Sequence, residues 1–280
     1  MNNFQLFKFR AAGFKNHHLL RIVDYMQTYD TSLTVRDYAR IAEYNPLCKF
    51  LENYRQLDTQ KLKEAFYRYP SISILDHNYP QELKESFQPP VLLFYKGDID
   101  LLKKPKLALV GARDLSEIGK ETIHKLVSQL ENRFVIVSGL ARGADREAHL
   151  AAIHSYQSTI GVIGCGLDIA YPKQNASLQA YMEENHLVLS EYAPGEGPRK
   201  YHFPERNRII AGLSKGVIVV EAKRRSGSLI TCERAMEEGR DVFAVPGEIL
   251  SGRSQGCIHL IQEGAKCISS GKDIIEEYIY

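Results

Sequence analysis

The stretch that decides the fold runs from Pro204 to Arg240, PERNRIIAGLSKGVIVVEAKRRSGSLITCERAMEEGR. Its middle, Gly216 to Val220, is an unbroken apolar run of strand length, followed by Glu221-Ala222. A basic tripeptide, Lys223-Arg224-Arg225, follows it, then a small-residue turn, Ser226-Gly227-Ser228, and then a helical pattern. A strand with no polar alternation is covered on both faces, which is the condition of a parallel sheet flanked by helices. Arginines and a glycine turn at the end of such a strand point to an anion.

The pattern extends outward in both directions. Apolar strand-like runs recur as KLALVGA (106–112), FVIVSGL (134–140), STIGVIG (158–164), HLVLSEY (186–192), GVIVVEA (216–222), DVFAVPG (241–247) and KCISS (266–270). Helical stretches fall between them over 116–132, 143–156, 175–184, 205–213, 228–239 and 256–264. This alternation predicts an α/β fold, a mostly parallel sheet with helices on both faces. Residues 1 to about 75 differ. Leu19, Leu20, Ile22, Val23 and Met26 lie near helical spacing in NHHLLRIVDYMQTY, Thr34 can cap VRDYARIAEY, Pro46 suits a helix start, and Asp58 can cap TQKLKEAFYRY. A small all-helical module, 1–75, therefore precedes a larger domain, 76–280, with prolines 70, 80, 89 and 90 punctuating the change.

Bulk composition narrows the function classes. The 280 residues carry a net charge of only +2, so polyanion binding must come from a local patch. No apolar run opens the chain, and none approaches the roughly 18 residues of a membrane span. The cysteines, Cys48, Cys165, Cys232, Cys257 and Cys267, form no C-x-x-C pair and read as reduced thiols of a cytoplasmic protein. Cys165 in GCG has no adjacent activating group in the sequence, which disfavours a nucleophile.

In a parallel sheet, ligands bind beyond the carboxyl ends of the strands. There the sequence places Gly111-Ala112-Arg113, then Ser138-Gly139 leading to Arg142-Gly143, then Gly164-Cys165-Gly166 with Tyr171-Pro172-Lys173, then APGEGPRKYHFPERNR, then Lys223 with Gly227-Ser228, and last Pro246-Gly247. One glycine turn is most simply a tight connection. Five on one edge, several with a basic residue, predict a shared cationic trough in which main-chain N–H groups and Arg113, Lys173, Arg206 and Arg208 meet an anion. The phosphate-loop motif, the dinucleotide fingerprint and the nucleophile elbow are all missing: GARDLSEIGK has the wrong spacing, and GCGLDIA supplies two glycines of the required three. Asp145 reads as a residue that orients its turn, and His149 as packed. Phosphate-binding turns with nearby Tyr171, Tyr201 and Phe203, and without hydrolytic machinery, suit single-stranded nucleic acid, whose bases stack on aromatic rings. No cofactor, metal or catalytic residue is expected.

The segments LVGARDLS, IVSGLARGADREAHLAA, VIGCGLDIAYPKQN, the long run from LSEYAPG through FAVPG, and GCIHLIQEGAKCI together resemble the DNA-processing protein A (DprA, also Smf) family over most of residues 70–280. The resemblance implies a Rossmann-like domain behind a sterile-alpha-motif-like module. It implies a protein that is not an enzyme, binds single-stranded DNA, forms a homodimer and hands incoming DNA to the recombinase RecA in natural transformation. The family's Gly-Ser/Thr-Arg turn matches Gly111-Ala112-Arg113, with Ala112 replacing the hydroxyl residue. Lys173 follows the Tyr-Pro pair, and the Phe-Pro-x-Arg-Asn-Arg segment is intact from Phe203 through Arg206 and Asn207 to Arg208. The dimer contact is expected in the C-terminal half of the large domain. Many relatives carry a C-terminal winged-helix-like domain, which this reading expects to be absent because the sequence ends at Tyr280. Two other readings stay open. One is an enzyme on nucleoside monophosphates, although Ser138-Gly139-Leu140 and Pro246-Gly247-Glu248 each lack a second glycine that such enzymes show. The other is a scaffold whose helical module recruits a partner such as a competence regulator.

Overall fold

A computed structural model describes residues 1–29 and 32–278; the chain end at Tyr280 lies outside the described residues. The chain forms two compact units, Met1–Tyr79 with Gln88–Phe94, and Pro80–Phe87 with Tyr95–Tyr280.

The first unit is helical, with helices Asn3–Ala11, Asn16–Thr28, Val35–Ile41, Leu47–Gln56 and Thr59–Phe66. Its caps are those the sequence specifies. Thr34 and Asp37 form a reciprocal capping box, Pro46 stands at the start of its helix, and Asp58 accepts from the N–H groups of Gln60 and Lys61 at 3.1 Å each. Leu19, Ile22 and Val23 are buried, while Leu20 and Met26 are half-buried. The centre is aromatic: Phe14 stacks on Phe50 with ring centres 3.9 Å apart, and Phe9 packs against both. A short antiparallel pairing closes the unit, between β1 (Ser71–Ser73) and the start of β2 (Leu92–Gly97).

The second unit holds the seven strands expected from the apolar runs: β3 (Lys106–Gly111), β4 (Val135–Ser138), β5 (Thr159–Ile163), β6 (Leu187–Ser190), β7 (Gly216–Val220), β8 (Asp241–Ala244) and β9 (Lys266–Cys267). All are parallel, in the order β6-β5-β4-β3-β7-β8-β9. Side chains alternate between the two faces. Leu107, Leu109, Ile136, Ile218, Val220 and Phe243 share a core with helices Glu117–Ser128 and Ala144–His154. The intervening Ala108, Val110, Val137, Val217 and Val219 are equally buried, and helix His202–Leu213 crosses β3, β4 and β5 on that side. Both faces of the sheet are therefore covered by apolar packing, which is why its strands read as mostly continuous runs. The chain winds outward from β3 to β6 and then returns to place β7 on the other side of β3. This reversal opens a crevice at the carboxyl ends of the strands.

Candidate nucleic-acid interface

An open pocket lies over the carboxyl ends of β3, β4 and β5. The turn after β3 contributes Arg113. The turn after β4 contributes Gly139, Ala141 and Arg142. The loop after β5 contributes Gly164, Cys165, Tyr171 and Pro172, and helix His202–Leu213 contributes Phe203 and Arg206. The rim is cationic and aromatic. The Arg113 guanidinium lies 6.0 Å from the Phe203 ring centre. The Tyr171 ring is tilted against Phe203 with ring centres 5.6 Å apart, and it is 49% exposed. Arg113 and Arg142 are both exposed. Arg142, four residues beyond Ser138 in a turn already suspect, is a cation that the sequence reading quoted without assigning it a role.

The floor is built by Arg206, which is only 4% exposed. Its Nη1 donates to the carbonyls of Gly139 and Val162, its Nε donates to Asn207 Oδ1 at 3.1 Å, and its Nη2 stands 4.0 Å from Asp145. Burial pushes the Asp145 carboxyl up, and Arg206 opposes that shift. Asp145 also accepts from the Ala141 N–H at 3.4 Å, so it orients the turn as expected. Charge at the floor is thus internally balanced, and the positive field at the mouth belongs to Arg113 and Arg142. A Cβ on residue 139 would sit 2.0 Å from the Arg206 guanidinium, so Gly139 is a glycine because the arginine passes there.

The residues grouped from sequence as a trough also make contacts within the protein. Arg206 lines the pocket from below, with its Nη1 committed to the protein's own carbonyls. Ser138 is fully buried, and its Oγ donates to the Leu109 carbonyl at 2.6 Å, fastening β4 to β3. Arg208 forms a two-pronged pair with Glu191 at 2.7 and 2.6 Å and does not line the pocket. Asn207 accepts from Arg206 and donates to the Gly227 carbonyl at 3.4 Å. Gly111 packs so tightly that a Cβ would lie 2.0 Å from the Val220 carbonyl oxygen, and the Ala112 carbonyl receives the Ala144 N–H at 3.0 Å. Both residues serve close packing of β3 against its neighbours. Lys173 is exposed and directly follows the pocket residue Pro172. Lys223, in the loop after β7, and Gly227 and Ser228, the first residues of helix Gly227–Glu237, are not among the pocket-lining residues; Ser226 and Ser228 share a 2.5 Å hydroxyl contact at that helix start.

Neighbouring groups hold the Arg113 turn. Glu221, at the end of β7, accepts from the Ser116 N–H at 3.0 Å and from its hydroxyl. Arg253 donates to the Asp114 carbonyl at 2.9 Å. Two other groups are quiet. Cys165 donates to the Ile169 carbonyl, and burial pushes its thiol up to about 11. His149 is buried against Thr159, and its pKa falls to about 3. Among the described residues, no helix is long and apolar enough to cross a membrane.

Known proteins resemble the chain in both sequence and fold. Residues 71–279 match the family described as DNA recombination-mediator protein A, and residues 1–62 match the DNA processing protein A sterile alpha motif domain. DNA processing protein DprA of Streptococcus pneumoniae is 54% identical over 278 residues, 99% of each chain, and its X-ray structure superposes with a TM-score of 0.98 over 100% of this chain and 99% of that one. DprA of Bacillus subtilis is 48% identical over 209 residues, covering 74% of this chain and 70% of its own length. The structure of DNA processing protein A from Helicobacter pylori, described for its single-stranded DNA binding mode, superposes with a TM-score of 0.68 at 31% identity, over 75% of this chain and 95% of its own.

Proposed function

Because the chain belongs to the DNA recombination-mediator protein A family, we propose that it binds single-stranded DNA at the rim pocket and passes that strand to RecA during natural transformation. A role in DNA processing follows from the family; the strand-binding site, the recombinase and the setting are the further reading. The observation that carries it is the rim itself, with Arg113 and Arg142 beside Tyr171 and Phe203 over a charge-balanced floor. A cation against an aromatic face suits a ligand in which phosphate and base alternate, because the guanidinium meets the charge and the ring meets the base. Lys173 and Lys223 would extend the track beyond the pocket. The buried, arginine-matched Asp145 and the neutral Cys165 thiol suit holding a ligand more than transforming it.

In the same reading, two copies pair through the C-terminal half of the sheet unit. Pairing brings two rims onto one strand and raises avidity by proximity. The helical unit is then available to a competence regulator, and the protein works in the cytoplasm. The test is anisotropy with oligo-dT at moderate salt. Arg113→Ala with Lys173→Ala should lower affinity and flatten the salt dependence by about 0.7 in log–log slope per phosphate lost. Unchanged binding would mean that the pocket is not the strand site.

A further inference from the structure

The helical unit carries a surface of its own. Along helix Asn3–Ala11, Phe4 and Lys8 are one turn apart and share a face. Phe4 stacks on Tyr67, with ring centres 6.1 Å apart and planes 18° from parallel. Lys8 Nζ stands 4.5 Å from the centre of the Tyr54 ring. Tyr67 is 70% exposed, and the next residue, Arg68, lays its guanidinium 5.7 Å from the Tyr69 ring. These contacts run in a row, Tyr67, Phe4, Lys8 and Tyr54, with one cation among three rings. The row is backed by the buried Phe66, which touches Phe4, Phe7 and Tyr67, so the rings are held before any ligand arrives. The segments that build it, residues 1–11 and 47–69, hold seven basic and three acidic side chains in a chain whose total excess is +2.

We propose that this face is a second platform for single-stranded DNA, separate from the rim pocket; the inference rests on single-stranded DNA being the ligand of the sheet unit. An acidic polypeptide would satisfy the cations and leave the Tyr67 ring facing peptide. A single strand satisfies both, because each nucleotide presents a π-face and a phosphate in turn.

The experiment uses the full chain. Tyr67→Ala with Lys8→Gln is compared with wild type by anisotropy on oligo-dT of about 6 and about 40 nucleotides, chosen to lie below and well above a single binding footprint. A long strand carrying 5-iodo-deoxyuridine is also photocross-linked to wild type. The variant should bind the long strand at least about fivefold more weakly, the low end for one lost base stack. Its salt slope should be shallower by about 0.7, its short-strand affinity unchanged, and the wild-type cross-link should include Tyr67. Equal long-strand affinity, or cross-links confined to residues 95–280, would overturn the platform and leave this face to an acidic protein. Wild type that binds neither strand would overturn the underlying ligand reading as well.

Discussion

Replacing Arg206 with leucine separates the two roles an arginine can have at this site. Its guanidinium is buried, donates to the Gly139 and Val162 carbonyls, and stands 4.0 Å from the buried Asp145 carboxylate. Arg206→Leu leaves that carboxylate without its cation, a loss of about 3–5 kcal/mol for a broken buried pair. At roughly 2–4 °C per kcal/mol for a unit of this size, the thermal midpoint should fall by about 6–20 °C. The pH dependence has a definite sign. Burial already raises the Asp145 pKa above its unfolded value, and removing Arg206 raises it further. The folded variant then binds a proton the unfolded chain releases, so its stability falls as pH rises through that window. Its deficit against wild type should be largest at neutral pH and narrow on acidification. Asp145→Asn in the Arg206→Leu background should recover part of the loss. Once folded, the single variant should keep the wild-type salt slope on oligo-dT if the guanidinium is committed to the Gly139 and Val162 carbonyls. Calorimetry from pH 5 to 7, with anisotropy across salt, reads all of this. A midpoint shift below about 2 °C, a deficit that grows on acidification, or a flattened salt slope would refute the assignment of Arg206 to the floor.

Other outcomes follow from single contacts. Arg142→Ala, at an exposed rim position, should weaken oligo-dT binding and reduce the salt slope by about 0.7 while leaving the thermal midpoint within a degree or so. Phe203→Leu should lose about 1–3 kcal/mol of strand affinity through the missing stack, measured by anisotropy at fixed salt. Burial holds the thiols of Cys165 and Cys257 up to about 11, so the unfolded chain sheds these protons first. Stability should therefore decline as pH rises from about 9 to 11, and Cys257→Ala should flatten that decline in denaturant titrations. Thr34→Ala removes one side of the capping box and should cost the helical unit about 0.5–2 kcal/mol, read by circular dichroism on heating.

The sheet was legible because both of its faces are covered. Runs such as GVIVV carry no alternation to misread, and small-residue turns such as Ser226-Gly227-Ser228 follow close behind them. The caps at Thr34 and Asp58 were legible because a helix start is a local matter of one side chain and the next two or three N–H groups. Helix Asn3–Ala11 was harder to see, since Phe4, Leu6, Phe7 and Phe9 do not fall on one side. The arginines were the least legible. Arg206, Arg208 and Arg113 look alike in sequence, and what divides them is the acceptor each meets after folding. Arg206 finds Asp145 and Gly139, more than sixty positions upstream, and Arg208 finds Glu191 seventeen positions away, while Arg113 meets an aromatic ring and solvent. Gly111 and Gly139 carried a similar ambiguity. A glycine that admits a ligand and one that admits a neighbouring carbonyl or guanidinium are the same letter.

Arg206 also constrains how the mouth can behave. It is rooted in the helix that follows β6, yet it grips main-chain oxygens in β5 and in the turn after β4. Three connections that would otherwise fluctuate separately are riveted from underneath. A guest arriving at the opening meets a mould already cast, so little ordering remains to be done at the moment of contact.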